Sequence, residues 1–561
     1  MRKLWTILLM ATWLAGMSVR ADEPRVLVYT RHAGADGKKD FVHDNIATNV
    51  ATFQKLSKEN TFANSIRQGV FDVRNFGAAG DGATLNTAAI QKAIDACTIA
   101  GGGEVLVAGG RFVTGTIYLK DNVELHVASG TVLLGSTNIA DYATDTHKNI
   151  YDGEPHMNRC LIFARGAANI ALTGGGTIDG QGEKTYFPNK GDPARNRPML
   201  IRFLECTHLR LSGLILRNPA SWTSAWLYCR DIVVDGVTIE SRDNVGNGDG
   251  LDFDGCENVR VSNCLFDTSD DSICLQASRA DRACRNVVVN NCVMQSRWAA
   301  IRIGMSSLGD LQDVTVSNCI FHDIRDAGLK IQMCEGGTMK NMLFSNIIMR
   351  NVPRPLFMTF NQIRLGVDSP KELPPMKALR DMRFSNIRVD NSELTGIPCG
   401  FVLSGVPGHA VENMAFDNIS LTLPGGGTAE QAAMRDVPEF TDCRPEFYVF
   451  GTKVPFAGFY ARYVRGLTLS NVRIDAMKNE ARPAIVCVHV SELELVNTKM
   501  DAAFSGDCVI RLRKVQDSLI RDCSSQGVTG SFLRIEDSHA GDVIVSPSNR
   551  HHAAKLIQES P

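Results

Sequence analysis

Val259-Arg260-Val261-Ser262-Asn263, Val287-Val288-Val289-Asn290-Asn291 and Val314-Thr315-Val316-Ser317-Asn318 are three renderings of one pattern: apolar, variable, apolar, small, Asn. Earlier copies end in glycine, at Leu209-Arg210-Leu211-Ser212-Gly213 and Ile232-Val233-Val234-Asp235-Gly236. Less regular copies follow at Phe344-Ser345-Asn346, Phe384-Ser385-Asn386, Phe416-Asp417-Asn418, Leu469-Ser470-Asn471 and Leu495-Val496-Asn497. Between Gly213 and Asn346 they recur every 23 to 28 residues. So short a unit, alternating Val and Ile and broken by Gly or Asn, has no room for a crossover helix, so its strands must stack on copies of themselves. The pattern predicts an all-β chain wound as a right-handed, single-stranded parallel β-helix. Each terminal Asn suits a tight bend, where it tolerates left-handed backbone and can bond to its counterpart one coil away. A leucine-rich repeat has a similar period, but its leucine framework is absent.

Seven of the sixteen cysteines follow the same repeat. Cys206, Cys229, Cys256 and Cys284 each precede a Gly or Asn by seven residues, and Cys264, Cys292 and Cys319 each directly follow such an Asn. Cysteines at two repeat positions read as small apolar residues stacked in a narrow core, and free buried thiols are expected for this set. Ahead of the regular coils, Ala88 to Cys97 has helical periodicity and stops at Gly101-Gly102-Gly103 before the strand Glu104-Val105-Leu106-Val107. A helix there caps the open N-terminal end of the solenoid. The longer insertions between Asn346 and Asn386, and between Asn418 and Asn471, are expected to build one flank as a groove.

A formal net charge of −2 over 561 residues offers no electrostatic reason to expect nucleic acid. Arg2 and Lys3, the apolar stretch Leu4 to Val19 and then Val19-Arg20-Ala21 have the three segments of a secretory signal. Cleavage after Ala21 is expected, with export to the periplasm or cell exterior and no membrane association afterwards. The chain is thus read as a signal peptide (1–21), an appended segment (22–66), the β-helix (67–545) and a C-terminal tail (546–561), and is expected to be a monomer. The appended segment has one strand, Arg25 to Thr30, and one helix, Asn45 to Leu56, too little for its own core. Its pattern, including Phe41-Val42-His43-Asp44-Asn45-Ile46, resembles the opening of a ThuA-like (trehalose-utilisation) domain.

Chemistry concentrates in two neighbouring coils, at Asn247-Gly248-Asp249-Gly250-Leu251-Asp252 and Thr268-Ser269-Asp270-Asp271-Ser272-Ile273. Asp249 and Asp270 are 21 residues apart, close to one coil, so Asp249, Asp270 and Asp271 should converge on one patch. Crowded carboxylates raise one another's affinity for a proton. Glycoside hydrolysis needs such a set: one protonated carboxyl for the leaving oxygen and one ionised carboxylate for water or the anomeric carbon. An Asp-Gly turn beside a solvated acidic corner is the plainer alternative.

With Phe71-Asp72-Val73-Arg74-Asn75-Phe76-Gly77-Ala78-Ala79-Gly80-Asp81-Gly82, Asn218-Pro219-Ala220-Ser221-Trp222 and the two acidic motifs, residues 71–497 resemble glycoside hydrolase family 28, the polygalacturonase-like, pectin-degrading solenoids. The resemblance implies that Asp270 is the general acid, that Asp249 and Asp271 hold and deprotonate the water, and that the anomeric centre is inverted. It departs in the next coils. The family's Gly-His-Gly is replaced within Arg297-Trp298-Ala299-Ala300-Ile301-Arg302-Ile303-Gly304, and its Arg-Ile-Lys by Lys330-Ile331-Gln332. Those residues orient the acid and grip a uronate, so the implied substrate is pectin-type polysaccharide other than plain polygalacturonan.

Asn247, Trp222, Trp298, Arg302 and Lys330 are the candidate substrate contacts. For Arg302 an ion-paired strand residue is an equal reading, and Trp298 is equally a ring for sugar stacking or for packing. No cofactor or metal is expected: no His or Cys set has zinc spacing and no Gly-rich phosphate loop is present. A calcium-dependent β-helix lyase using Arg302 or Lys330 as base, and a non-catalytic carbohydrate-binding solenoid, are the competing readings.

Overall fold

The computed structural model describes residues 69–560, apart from 152–153, 189–195, 242–245, 395, 397–399, 440–445, 452 and 540. The signal segment and the whole of the appended segment lie outside the described residues. The solenoid is a right-handed parallel β-helix whose strands form one continuous, entirely parallel sheet system. Among the described residues no helix is long and apolar enough to cross a membrane.

A typical coil has three strands. Leu251–Asp254, Glu257–Ser262 and Leu265–Thr268 stack on Ile273–Ala277, Cys284–Asn290 and Val293–Ser296 of the next. Every second residue points inward, so Ile232, Val259, Val287 and Val314 form one fully buried column while Arg260 and Val288 between them face out. Burying each such side chain contributes about 1.5–3 kcal/mol. Further along, Phe344, Phe384 and Phe416 continue the core as a stack with ring centroids 5.0 and 4.6 Å apart.

The terminal Asn residues do what the repeat requires. Asn263, Asn291, Asn318, Asn346, Asn386 and Asn418 all have φ between 53° and 58°. Their side chains form a ladder, for example Asn386 Nδ2 donating to Asn346 Oδ1 (3.0 Å) and Asn418 Nδ2 to Asn386 Oδ1 (2.7 Å). A second ladder, not anticipated from the repeat, runs along the preceding bend through Asp231, Asn258 and Asn286. All fourteen described cysteines are free and buried, including the seven at repeat positions.

The capping helix α1 (Thr87–Ile99) buries Ile90, Ala93, Ile94 and Cys97, the expected stripe, against the first coil. It ends where predicted because Gly101 turns the chain at a φ of 91°; Gly103, opening the next strand, must also be glycine, since a Cβ there would lie 2.6 Å from the Gly69 carbonyl oxygen. At the other end the boundary at 545 is corrected. Arg550–His551 pairs with Ser524–Ser525 and Lys555–Ser560 with Ser531–Glu536, so the last residues are another coil, not a tail. Their weak alternation, with charged and amide residues on a terminal winding open to water, hid the strand from periodicity.

Candidate active site

The site lies on the outer face of five consecutive strands: β1 (Ser224–Leu227), β2 (Leu251–Asp254), β3 (Ile273–Ala277), β4 (Ala299–Ser307) and β5 (Ala327–Met333). Leu251 and Phe253 of β2, Ile273 and Leu275 of β3, Ile301 and Ile303 of β4, and Leu329 and Ile331 of β5 take the inward positions. The alternate residues are therefore aligned on the outer face, where Asp252, Cys274, Arg302 and Lys330 stand in register one coil apart. Long excursions of the chain cover this face, so these four side chains are buried even though they point away from the solenoid core.

Asp249 precedes β2, and Asp270 and Asp271 precede β3. Leu251 pairs with Ile273, which sets the offset at 22 residues and puts Asp249 opposite Asp271. The coil here is thus 22 residues, one more than the separation of Asp249 and Asp270. Gly250 N donates to Asp271 O at 2.9 Å, and a Cβ on Gly250 would meet the Ser272 carbonyl at 2.3 Å, which is why glycine follows Asp249. Asp270 sits on the turn before Asp271, its carbonyl held by Thr268 Oγ1 (2.7 Å) and Ser296 Oγ (2.6 Å). Asp271 is fully buried and Asp249 is 6% exposed, while Asp270 retains part of its surface.

Asp249 and Asp271 converge, and Asp270 lies near enough to raise the proton affinity of both. Cys274 Sγ is 3.9 Å from Asp249 Oδ2 and 3.7 Å from Asp271 Oδ2, and these three groups offer ligand atoms within 4.8 Å of one another. Asp271 Oδ2 meets Arg302 Nη1 at 3.1 Å, and its Oδ1 accepts from Ala299 N at 3.1 Å. Burial, reinforced by Asp270, Asp252 and Asp271, holds the Asp249 carboxyl well above the usual range; Asp252 is likewise raised, first by burial. Burial also pushes Asp271 up to about 7, with Arg302 opposing it. The sequence reading did not single out Asp252 or Cys274 as site residues, although the period-two alternation around Leu251, Phe253, Ile273 and Leu275 placed both on the site face.

The candidate substrate contacts fall into different settings. Asn247, at φ 52°, is held by Arg197 Nη2 donating to its Oδ1 (2.9 Å) and by its own Nδ2 toward Glu154 (3.4 Å). Trp298 is half-buried, with Lys330 Nζ 4.6 Å from its ring centroid. Lys330 was expected to face substrate but has no accessible surface: its ammonium pairs with Asp326 (2.6 Å) and with Glu446. Arg302 spans Asp271 and Glu446, the latter at 3.5 Å, so its ion-paired reading holds. Trp222 also differs from expectation. At 3% exposure it packs among Ile150, Met157 and Leu365, edge-on to Tyr151, and presents no open ring face for a sugar.

Residues 109–443 match the model of the glycosyl hydrolases family 28. A probable polygalacturonase of Vitis vinifera is 28% identical over 262 residues, covering 44% of this chain and 53% of that protein. The exo-poly-alpha-D-galacturonosidase of Dickeya chrysanthemi is 31% identical over 251 residues, covering 36% and 41%. The chain thus spans about half the length of these curated relatives. Among solved structures, the family 28 exopolygalacturonase of Yersinia enterocolitica superposes with a TM-score of 0.59 at 22% identity, covering 81% of this chain and 79% of that one. The exopolygalacturonase of Thermotoga maritima gives 0.55 at 20% identity, covering 66% and 91%. These superpositions share the right-handed β-helix, and the family model spans more than half of the sequence, including both acidic motifs and the strands that present them. The chain belongs to glycosyl hydrolase family 28.

Proposed function

We propose that this protein is an exported glycoside hydrolase that cleaves a glycosidic bond in pectin-type polysaccharide, other than plain polygalacturonan, with inversion. The convergence of Asp249 and Asp271, with the partly exposed Asp270 on the adjoining turn close enough to raise both, carries the reading. Family membership and relatives named as polygalacturonases support the substrate class.

The nearest oxygens of Asp249 and Asp271 lie within 4.8 Å, short of the roughly 6.5–9.5 Å that separates acid from base in inverting enzymes. The two therefore act together on the water. Asp271, at about 7, is ionised in a substantial fraction of molecules near neutrality and takes its proton, while Asp249 donates a hydrogen bond to hold it. Asp270, at the mouth, is the acid that protonates the leaving oxygen. The exposed side of the Trp298 ring offers a stacking surface for the sugar, with Lys330 behind it. A lyase would need Arg302 or Lys330 as a free base, and both are committed to carboxylates.

The test uses defined pectic oligosaccharides with proton NMR of the first-formed anomer. Asp270→Asn is expected to lower kcat by about 10²–10⁴-fold with an unchanged thermal midpoint. Retained turnover in this variant, or retention of configuration by the wild type, rejects the assignment.

A further inference from the structure

Glu446 reaches the site from the excursion between Leu423 and Phe459, 116 residues beyond the lysine it contacts. One carboxylate oxygen accepts from Lys330 Nζ and the other lies 3.5 Å from Arg302 Nη2. These two cations occupy the coils that follow the acidic cluster, in register with Asp252 and Cys274. They are the groups on this face that a sugar carboxylate would seek, and the chain's own carboxylate already holds them. Asp326 takes the rest of Lys330 and also Arg354, at 2.7 Å.

The local charge balance runs the same way. Asp249, Asp252, Asp270, Asp271, Asp326, Glu446 and Glu154 share this region with Arg302, Lys330, Arg354 and Arg197, seven acids against four bases. With Asp249, Asp252 and the acid Asp270 protonated, the remaining carboxylates equal the cations in number, so each cation is already neutralised. An incoming uronate would add another negative charge in a water-poor pocket, or would have to expel Glu446 from its partners and leave that carboxylate unpaired. A neutral ring meets neither obstacle, and the same carboxylates can accept from its hydroxyls.

We propose that Glu446 is a specificity-determining residue that reserves the cleavage subsite for an uncharged sugar, a neutral ring or an esterified uronate, and rejects a free uronate. The proposal rests on the hydrolase reading and sharpens its substrate class. It removes the need for a free cation pair at the site and assigns the missing Arg-Ile-Lys chemistry to a change in substrate charge.

The experiment compares trigalacturonate with its fully methyl-esterified form, the same sugar with and without charge. Wild-type protein is expected to favour the ester by about tenfold or more in kcat/KM, and Glu446→Gln to raise the relative rate on the free acid by about tenfold. Calorimetric binding of both ligands, with Asp270→Asn in each background, reads the same preference without turnover. A wild type that prefers the free acid, or a preference unmoved in Glu446→Gln, overturns the proposal; so does failure of every form to bind either ligand. Ester-selective binding that Glu446→Gln abolishes, without cleavage of either ligand, supports the charge gate and rejects the hydrolase reading. Should Glu446→Gln not fold, the wild-type preference alone decides.

Discussion

Asp271 shows how a single position couples the fold to chemistry. It has no accessible surface, its Oδ1 accepts from Ala299 N, and Arg302 supplies its counter-charge. Burial lifts it from 3.8 to about 7. A carboxyl raised in the folded state keeps a proton that the unfolded chain has already released, so its contribution to stability is lost as pH rises from about 4 to about 7. Asp271→Asn cannot titrate and should show a shallower decline of unfolding free energy across that window, measured by urea denaturation at several pH values. An unchanged slope would mean that the Asp271 proton does not bear on stability. The carboxylate cluster itself was legible in the sequence, because both acidic motifs are contiguous and nearly one coil apart. Which residue Asp249 faces was not legible, because coil length varies and only strand register fixes it. Glu446 was not legible at all: its contact spans 116 residues and belongs to no repeat.

At the scale of the bend, the Asn ladder is the element that makes coils interchangeable. Asn346 has φ 55°, receives Asn386 Nδ2 at 3.0 Å and donates to Asn318 Oδ1 at 3.1 Å. Two effects are superposed there, left-handed backbone and side-chain bonding, and two substitutions separate them. Asn346→Gly keeps the backbone conformation and loses only the ladder bonds, about 0.5–1.5 kcal/mol each where desolvated and less at this exposed edge. Asn346→Val adds the penalty of a β-branched residue at positive φ, a further 1–3 kcal/mol or so. Chemical denaturation should therefore rank wild type above Gly above Val; a Gly variant as unstable as Val would mean that the hydrogen bonds stabilise the bend more than the backbone preference does. This element was readable because Asn at a fixed repeat position has one economical explanation. The second ladder was missed because its position, one residue before each repeat, holds Asp231 in one coil and Asn258 in the next, so no single residue type recurs there. The covered outer face was likewise hidden, since strand alternation alone predicts that Arg302 and Lys330 point outward and not that loops will close over them.

The solenoid as a whole is a chain of nearest-neighbour contacts, so damage at one end should remain local while exposing an edge. Lys555–Ser560 covers the edge of the Ser531–Glu536 coil: Ile557 lies in register with Leu533, Leu556 and Ile557 pack on the core, and His551 stacks on Phe532 at 5.7 Å. Ending the chain at Val545 would remove this winding and leave one edge of Ser531–Glu536 unpaired, with Phe532 and Leu533, both fully buried, newly exposed beside it. The truncated protein is expected to scatter light in a concentration-dependent way and to melt several degrees lower. Its soluble fraction should keep specific activity within about twofold, since the site coils from β1 to β5 lie many windings away and touch none of the deleted residues. A truncated chain that stays monodisperse with an unaltered melting point would show that the terminal coil protects nothing. One that loses activity in proportion to its melting shift would show instead that the solenoid unfolds as a single cooperative unit, and that the site depends on its far end.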